Sequence, residues 1–166
     1  MTPYERVQQS RQLTAATFPL PSVLDCIRYA ITELAEMDDA LLRQERTGDK
    51  RNNDKGHDPR TELGQALYML LSAAAQLNAP PLPVLNLPAA RNRRVAYTGA
   101  LRALANALDD VALADARQVM LPDSPFSSAY THLIILVSFL PKNDVGALID
   151  DTCAAFERKH APAEVR

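Results

Sequence analysis

Residues 22–46 read SVLDCIRYAITELAEMDDALLRQER, and this segment carries the clearest periodicity in the chain. Its apolar residues recur in steps of three and four, which places them on one face of a helix. They are Leu24, Ile27, Ile31, Leu34 and Leu41. Ser22 precedes them and is a favourable N-cap. The segment therefore predicts a long amphipathic α-helix that begins at Ser22 and runs to about Arg46.

Five further helical segments are set apart by proline or polar residues. We expect them at about 2–17, 61–77, 91–120, 126–140 and 143–160, with Asn143 as the N-cap of the last. No segment shows the alternating pattern of a β-strand. The composition agrees, because alanine and leucine supply most of the apolar residues and both favour helices. The sequence predicts an all-α fold, a bundle of five to six helices.

The length of 166 residues fits a single domain with a substantial core. Within it we distinguish residues 1–78, a proline-rich linker at 79–90, and additional packing helices at 91–166. The stretch 47–60 between the second and third helices is rich in Gly, Asn, Asp and Lys, which predicts a solvated loop.

The net charge of −2 gives the chain no overall attraction to nucleic acid or to an anionic membrane. The longest apolar run, Leu133 to Leu140, is too short to cross a bilayer, which needs about 20 residues. The N-terminus lacks the basic and then apolar pattern of a signal peptide. We therefore expect a cytoplasmic protein with neither a nucleic-acid nor a membrane partner.

Three glutamates are the informative polar residues of the first half: Glu33, Glu36 and Glu62. Residues three apart on a helix share one side, so Glu33 and Glu36 are neighbours. A carboxylate from an adjacent antiparallel helix can complete an oxygen site for Mg²⁺, which prefers hard oxygen ligands. The spacing alone is more typical of the solvated face of an amphipathic helix, and this alternative stays open.

The order of the two acidic segments resembles a pattern found in a known protein family. Residues 32–41 read TELAEMDDAL, and residues 62–71 read ELGQALYMLL. This pair is similar to the helix with Glu-Glu-x-x-Glu, followed after a variable loop by Glu-Leu-Gly-Asp and an apolar helix, in the all-α NTP pyrophosphatases (MazG-like). The resemblance covers about residues 1–78.

The resemblance implies that Glu33, Glu36 and Glu62 are Mg²⁺ ligands, with Asp39 at a further acidic position of the first motif. Gln65 stands where the family has a ligating Asp, and Thr32 replaces the first Glu of the motif. An amide oxygen can still bind a hard cation, but the site loses one negative charge. We expect weaker metal binding and lower activity than the family pattern gives.

The implied activity is hydrolysis of a nucleoside triphosphate to a nucleoside monophosphate and pyrophosphate, supported by Mg²⁺ or Mn²⁺. Glu33 and Glu36 are the candidate catalytic residues, and one glutamate can position the attacking water. The family usually completes its site in helical dimers or larger oligomers. The resemblance thus implies a four-helix core completed by homo-oligomerisation, as a dimer or tetramer.

Basic residues offer candidate phosphate contacts, because charge-assisted hydrogen bonds are strong. Lys50, Arg51, Lys55 and Arg60 lie between the two acidic segments. A solvated loop balanced by nearby aspartates is the alternative. A second cluster, Arg91, Arg93 and Arg94, lies at a helix start. Cations are unfavourable there because of the helix dipole. The cluster is compatible with contact to a phosphate or a partner, and also with an ordinary surface patch.

Two alternatives to the enzyme remain. Gln65 is compatible with a relative that has lost catalysis and acts as a nucleotide-binding or interaction module. A purely structural helical bundle, whose glutamates are surface charges, is the other.

Overall fold

A computed structural model describes residues 1–19, 21–47, 58–81, 92–117 and 125–160. These residues form six α-helices and no β-strand, which confirms the all-α prediction. The helices are α1 (Pro3–Thr14), α2 (Val23–Thr47), α3 (Pro59–Gln76), α4 (Arg93–Arg117), α5 (Ser127–Val137) and α6 (Val145–His160). None of the six has the length and apolar content that a bilayer span requires.

Side-chain caps define the helix starts. At α1, the Thr2 hydroxyl and the Glu5 carboxylate each accept a hydrogen bond from the other residue's backbone N–H. At α2, the Ser22 hydroxyl accepts from the Asp25 N–H at 3.1 Å, as the sequence predicts. These interactions satisfy N–H groups that have no partner inside the helix.

Two helix starts differ from the prediction. Helix α3 begins at Pro59 rather than Thr61, because Asp58 accepts from the Thr61 N–H at 2.9 Å and proline suits the first helical position. Helix α6 is capped by Asp144 rather than Asn143, since the Asp144 carboxylate accepts from the Ala147 N–H at 2.9 Å. In both cases an aspartate next to the expected residue takes the capping role.

Helix α3 is the centre of the bundle. It contacts α1, α2, α5 and α6, and most of its residues are buried. Its most extensive contact is with α2. The Gln76 side chain near the end of α3 donates to the Pro21 carbonyl before α2 at 3.1 Å. The two helices therefore run antiparallel, and the start of α3 lies beside the middle and end of α2.

The remaining helices pack around this pair. Helix α6 lies on α1 and α3, and α4 lies on α2 and α5. The apolar segment of α5 contributes Leu133, Leu136 and Val137 to the core, while Ile134 and Ile135 pack against it half-buried. Helices from residues 91–166 thus contact helices from residues 1–78 directly. The oligomeric state and the division into segments stay predictions.

Candidate functional site

Glu33, Glu36 and Glu62 come together where α2 and α3 pack. One carboxylate oxygen from each residue lies within 4.8 Å of the others. Glu33 borders the buried face of α2, one turn before the fully buried Met37, and Glu36 lies further round toward solvent. Glu62 occupies the first turn of α3 and is only 4% exposed. The antiparallel packing of two helices therefore joins carboxylates that are about 30 residues apart in the chain.

The environment of Glu33 disfavours its charged form. Burial raises the pKa of the Glu33 carboxyl to about 8, and a hydrogen bond with Glu62 and the charges of Glu62 and Glu36 add to the effect. A carboxylate that shares a site with like charges holds its proton more tightly. The protein thus keeps at least one proton in this cluster near neutral pH, and a cation would replace it.

Gln65 lies one turn after Glu62 on α3, and its amide nitrogen donates to a Glu62 carboxylate oxygen at 3.4 Å. The amide therefore neutralises part of the charge on Glu62 through a hydrogen bond. Rotation of the amide by half a turn directs its oxygen toward the same place. Position 65 lies at the edge of the cluster, where the resemblance puts a ligand.

Asp39 lies apart from the three glutamates. Its side chain is exposed and pairs with Arg43 one turn later on α2. Six residues separate Asp39 from Glu33, which is a rotation of about 120° around the helix axis. The carboxylate cluster in the described part of the chain comprises Glu33, Glu36 and Glu62 without Asp39.

Of the basic residues between the acidic segments, Lys50, Arg51 and Lys55 lie outside the described residues. Arg60 is in the first turn of α3 but faces α6 rather than α2. Its guanidinium donates to the Lys142 carbonyl at 2.7 Å and to the Asp151 carboxylate at 3.1 Å. Arg60 therefore joins α3 to α6.

Arg93 belongs to a contact that the sequence does not reveal. It begins α4 and donates to the Asp38 carboxylate at 2.9 Å, and it also pairs with Glu45. Both acidic residues are on α2, Asp38 two residues and Glu45 nine residues after Glu36. The unfavourable position of a cation at a helix start is thus compensated by two carboxylates of another helix. Arg91 of the same cluster lies outside the described residues.

The three glutamates fit a divalent cation. They supply hard oxygen atoms, and oxygens bound to one Mg²⁺ lie about 3–4 Å apart, so small side-chain movements bring them into range. Burial, the hydrogen bond with Glu62 and the neighbouring carboxylates together raise the pKa of Glu33, and a cation bound there would favour its charged form. Glu33, Glu36 and Glu62 would hold the cation, with Gln65 beside them.

A groove between α3 and α6 begins next to this cluster and was missed by sequence reasoning. It has a volume of about 420 Å³. Thr61 and Gln65 line its α3 side, and Arg158 and Lys159 line its α6 side. Basic residues in the last turn of α6 are visible in the sequence, but nothing local indicates that they face α3.

No protein-family model, no curated protein and no solved structure matches the chain.

Proposed function

We propose that the chain is a Mg²⁺-dependent nucleoside triphosphate pyrophosphohydrolase that releases a nucleoside monophosphate and pyrophosphate. The observation that carries the proposal is the convergence of Glu33, Glu36 and Glu62 from two helices, with oxygen atoms within 4.8 Å of one another. Three carboxylates in one half-buried place are costly unless a proton or a cation compensates them. The order of the acidic segments is the second support.

The roles of the residues follow from their positions. Glu62 is the most buried of the three glutamates, and a hydrogen bond from Gln65 holds its carboxylate in position. We therefore assign Glu62 the role of a cation ligand. Glu33 and Glu36 lie on the more open α2 side, where water reaches them. We assign one of them to accepting a proton from the water that attacks the α-phosphorus, as pyrophosphate leaves. A bound Mg²⁺ supplies charge neutralisation of the triphosphate and orients the water.

The test is pyrophosphate release from a panel of NTPs and dNTPs with Mg²⁺ or Mn²⁺. We expect turnover by the wild type and a loss of at least about 100-fold in Glu33→Gln and Glu62→Gln, since each removes a charge from the site. Asp109→Asn is the matched control, because Asp109 is exposed on α4 away from the cluster. Folded wild-type protein that turns over no nucleotide contradicts the enzymatic proposal.

A second candidate is a nucleotide-binding or interaction module that has lost catalysis. It is favoured by Gln65, whose amide nitrogen rather than an oxygen is directed at Glu62. This candidate predicts nucleotide binding by calorimetry without pyrophosphate release. Absence of both binding and release, with divalent affinity unchanged in Glu33→Gln, leaves the structural bundle. The homo-oligomeric state is a further proposal, which light scattering tests.

A further inference from the structure

We propose that the groove between α3 and α6 binds the phosphate groups of a phosphorylated small molecule. The walls of the groove carry three cationic side chains, Arg60, Arg158 and Lys159, and one carboxylate, Asp151. Arg60 pairs with Asp151 at 3.1 Å, which leaves Arg158 and Lys159 as the surplus positive charge. No ion pair of Arg158 or Lys159 occurs with the residues that the structure describes.

The location of these cations separates them from ordinary helix-end charges. Cations in the last turn of a helix commonly stabilise its negative end. Here they also share a cavity of about 420 Å³ with Arg60 of another helix. The same cavity is lined by Gln65, whose amide nitrogen has a second N–H besides the one that it donates to Glu62. Phosphate oxygens accept hydrogen bonds from both charged and neutral donors, so these side chains suit a phosphate group.

A buried arginine is the second, independent observation. Arg11 on α1 is only 5% exposed, yet its three guanidinium nitrogens find no hydrogen-bond partner among the described residues. The guanidinium lies 5.4 Å from the centre of the Phe18 ring and 5.9 Å from that of Tyr68. Cation–π contacts of this kind stabilise the charge only in part. A buried charge without an anion is otherwise destabilising.

Arg11 is coupled to the groove through the aromatic rings. Tyr68 stacks on Phe156 with ring centres 4.3 Å apart, and Phe18 lies 5.9 Å from Phe156. Phe156 itself lines the groove. Screening is weak across a buried aromatic layer, so the charge of Arg11 raises the positive potential in the groove. Arg11 does not itself line the groove, so its charge acts on an anion there across the aromatic rings rather than through contact.

Gln65 connects the groove to the glutamate cluster. Its side chain lines the groove, and its amide nitrogen donates a hydrogen bond to Glu62 in the cluster. The phosphate groups can therefore come from two sources. They belong either to the nucleotide proposed above or to a separate phosphorylated ligand. Both sources present phosphate groups to the groove, and the binding experiment distinguishes the two sources.

The experiment titrates inorganic triphosphate into the full-length protein by calorimetry at low ionic strength, with EDTA present. Without a divalent cation the glutamate cluster repels the probe, and comparison with a variant of the groove isolates the contribution of the groove. We expect saturable binding by the wild type and a loss of more than about tenfold in affinity in the double variant Arg158→Glu/Lys159→Glu. Arg117→Glu, an exposed charge at the end of α4, should bind as the wild type does.

Arg11→Met provides a test at a buried position. This variant should keep or raise the melting temperature, because it removes an unpartnered charge, and should still bind the probe more weakly. No binding by the wild type, or unchanged affinity in the double variant, overturns the proposal. Failure of nucleotide hydrolysis does not affect this result, because the titration uses neither nucleotide nor metal.

A second titration, with a nucleoside triphosphate and Mg²⁺, distinguishes the sources. Competition between the nucleotide and inorganic triphosphate, together with a raised KM in the double variant, assigns the groove to the substrate. Simultaneous binding of both, with KM unchanged, assigns it to a separate phosphorylated ligand.

Discussion

The two sides of α3 carry opposite chemistry. On the side of α2, the carboxylates of Glu33, Glu36 and Glu62 meet. On the side of α6, Arg60, Arg158 and Lys159 surround a groove, and Gly64 allows α6 to approach closely. One contact concentrates negative charge and the other positive charge, only about one helix diameter apart. The difference teaches that α3 is both the centre of the bundle and the boundary between an acidic and a basic helix contact.

Close approach of α3 and α6 is the feature whose loss has the largest expected effect. A Cβ on Gly64 would overlap the Thr152 hydroxyl and lie 3.1 Å from Leu148. Both neighbours are buried, so they have little room to move. We expect Gly64→Ala to lower the free energy of unfolding by about 1–3 kcal/mol, measured by chemical denaturation.

Gly146→Ala is the matched control for this change. Gly146 is exposed on α6, and a Cβ there would meet only the Asp144 carboxylate at 3.2 Å. Alanine favours a helix over glycine by about 1 kcal/mol, so this variant should be neutral or slightly stabilised. Equal destabilisation by both substitutions would show that the α3–α6 distance does not depend on Gly64.

The pH dependence of the free energy of unfolding, measured without metal, probes the acidic side of α3. The folded protein holds the Glu33 proton up to about pH 8, whereas the unfolded chain releases it near the ordinary value of 4.5. The contribution of Glu33 is therefore fully present below pH 4.5 and is lost as the pH rises through about 8. In this range the free energy of unfolding falls by at most about 1.4 kcal/mol per pH unit.

Glu33→Gln should remove this slope, since glutamine does not titrate. Denaturation curves across the same pH range in EDTA measure it, with Asp109→Asn as a control that retains the wild-type slope. Parallel curves for wild type and Glu33→Gln would mean that burial and the neighbouring carboxylates do not raise the pKa of Glu33.

Gln65→Asp sharpens the contrast by adding a charge at the edge of the cluster. We expect Mg²⁺ affinity to rise about tenfold by calorimetry, since affinity follows the number of charged ligands. In metal-free buffer the variant should be less stable, because the Gln65 donor to Glu62 is replaced by a carboxylate. Gln12→Asp, at an exposed position of α1, serves as the control. Unchanged affinity would place position 65 outside the metal site.

The smallest effect is expected at Arg93, which ties α4 to α2. Arg93→Met should lower stability by about 1 kcal/mol, and high salt should reduce the difference between variant and wild type. Arg94→Met, on an exposed neighbour, should change stability less. A difference that salt leaves intact would indicate that Arg93 contributes through packing rather than through Asp38 and Glu45.

Local features of the sequence predict the helices well. The steps of three and four residues in 22–46 predict α2, and its cap Ser22 forms as expected. Each of these predictions depends on residues within one or two turns, which is the range over which helical geometry is fixed.

Contacts between helices were beyond local reasoning. The pairing of Arg93 with Asp38 joins residues on different helices, and so does the close approach of Gly64 to Thr152. Arg11 is another example, because a polar segment such as α1 gives no sign that this arginine is buried. The α3–α6 groove depends on such tertiary contacts. The glutamate cluster was anticipated only because the order of two acidic segments resembles a family pattern.

The central position of α3 has a consequence for motion. Amide hydrogens in its interior can exchange with solvent only when surrounding helices separate, so their exchange reports the opening of the whole bundle. Glu62 stands in the first turn of this central helix and is only 4% exposed. A ligand that meets Glu62 therefore finds it already held in place, and little conformational entropy is lost when it binds.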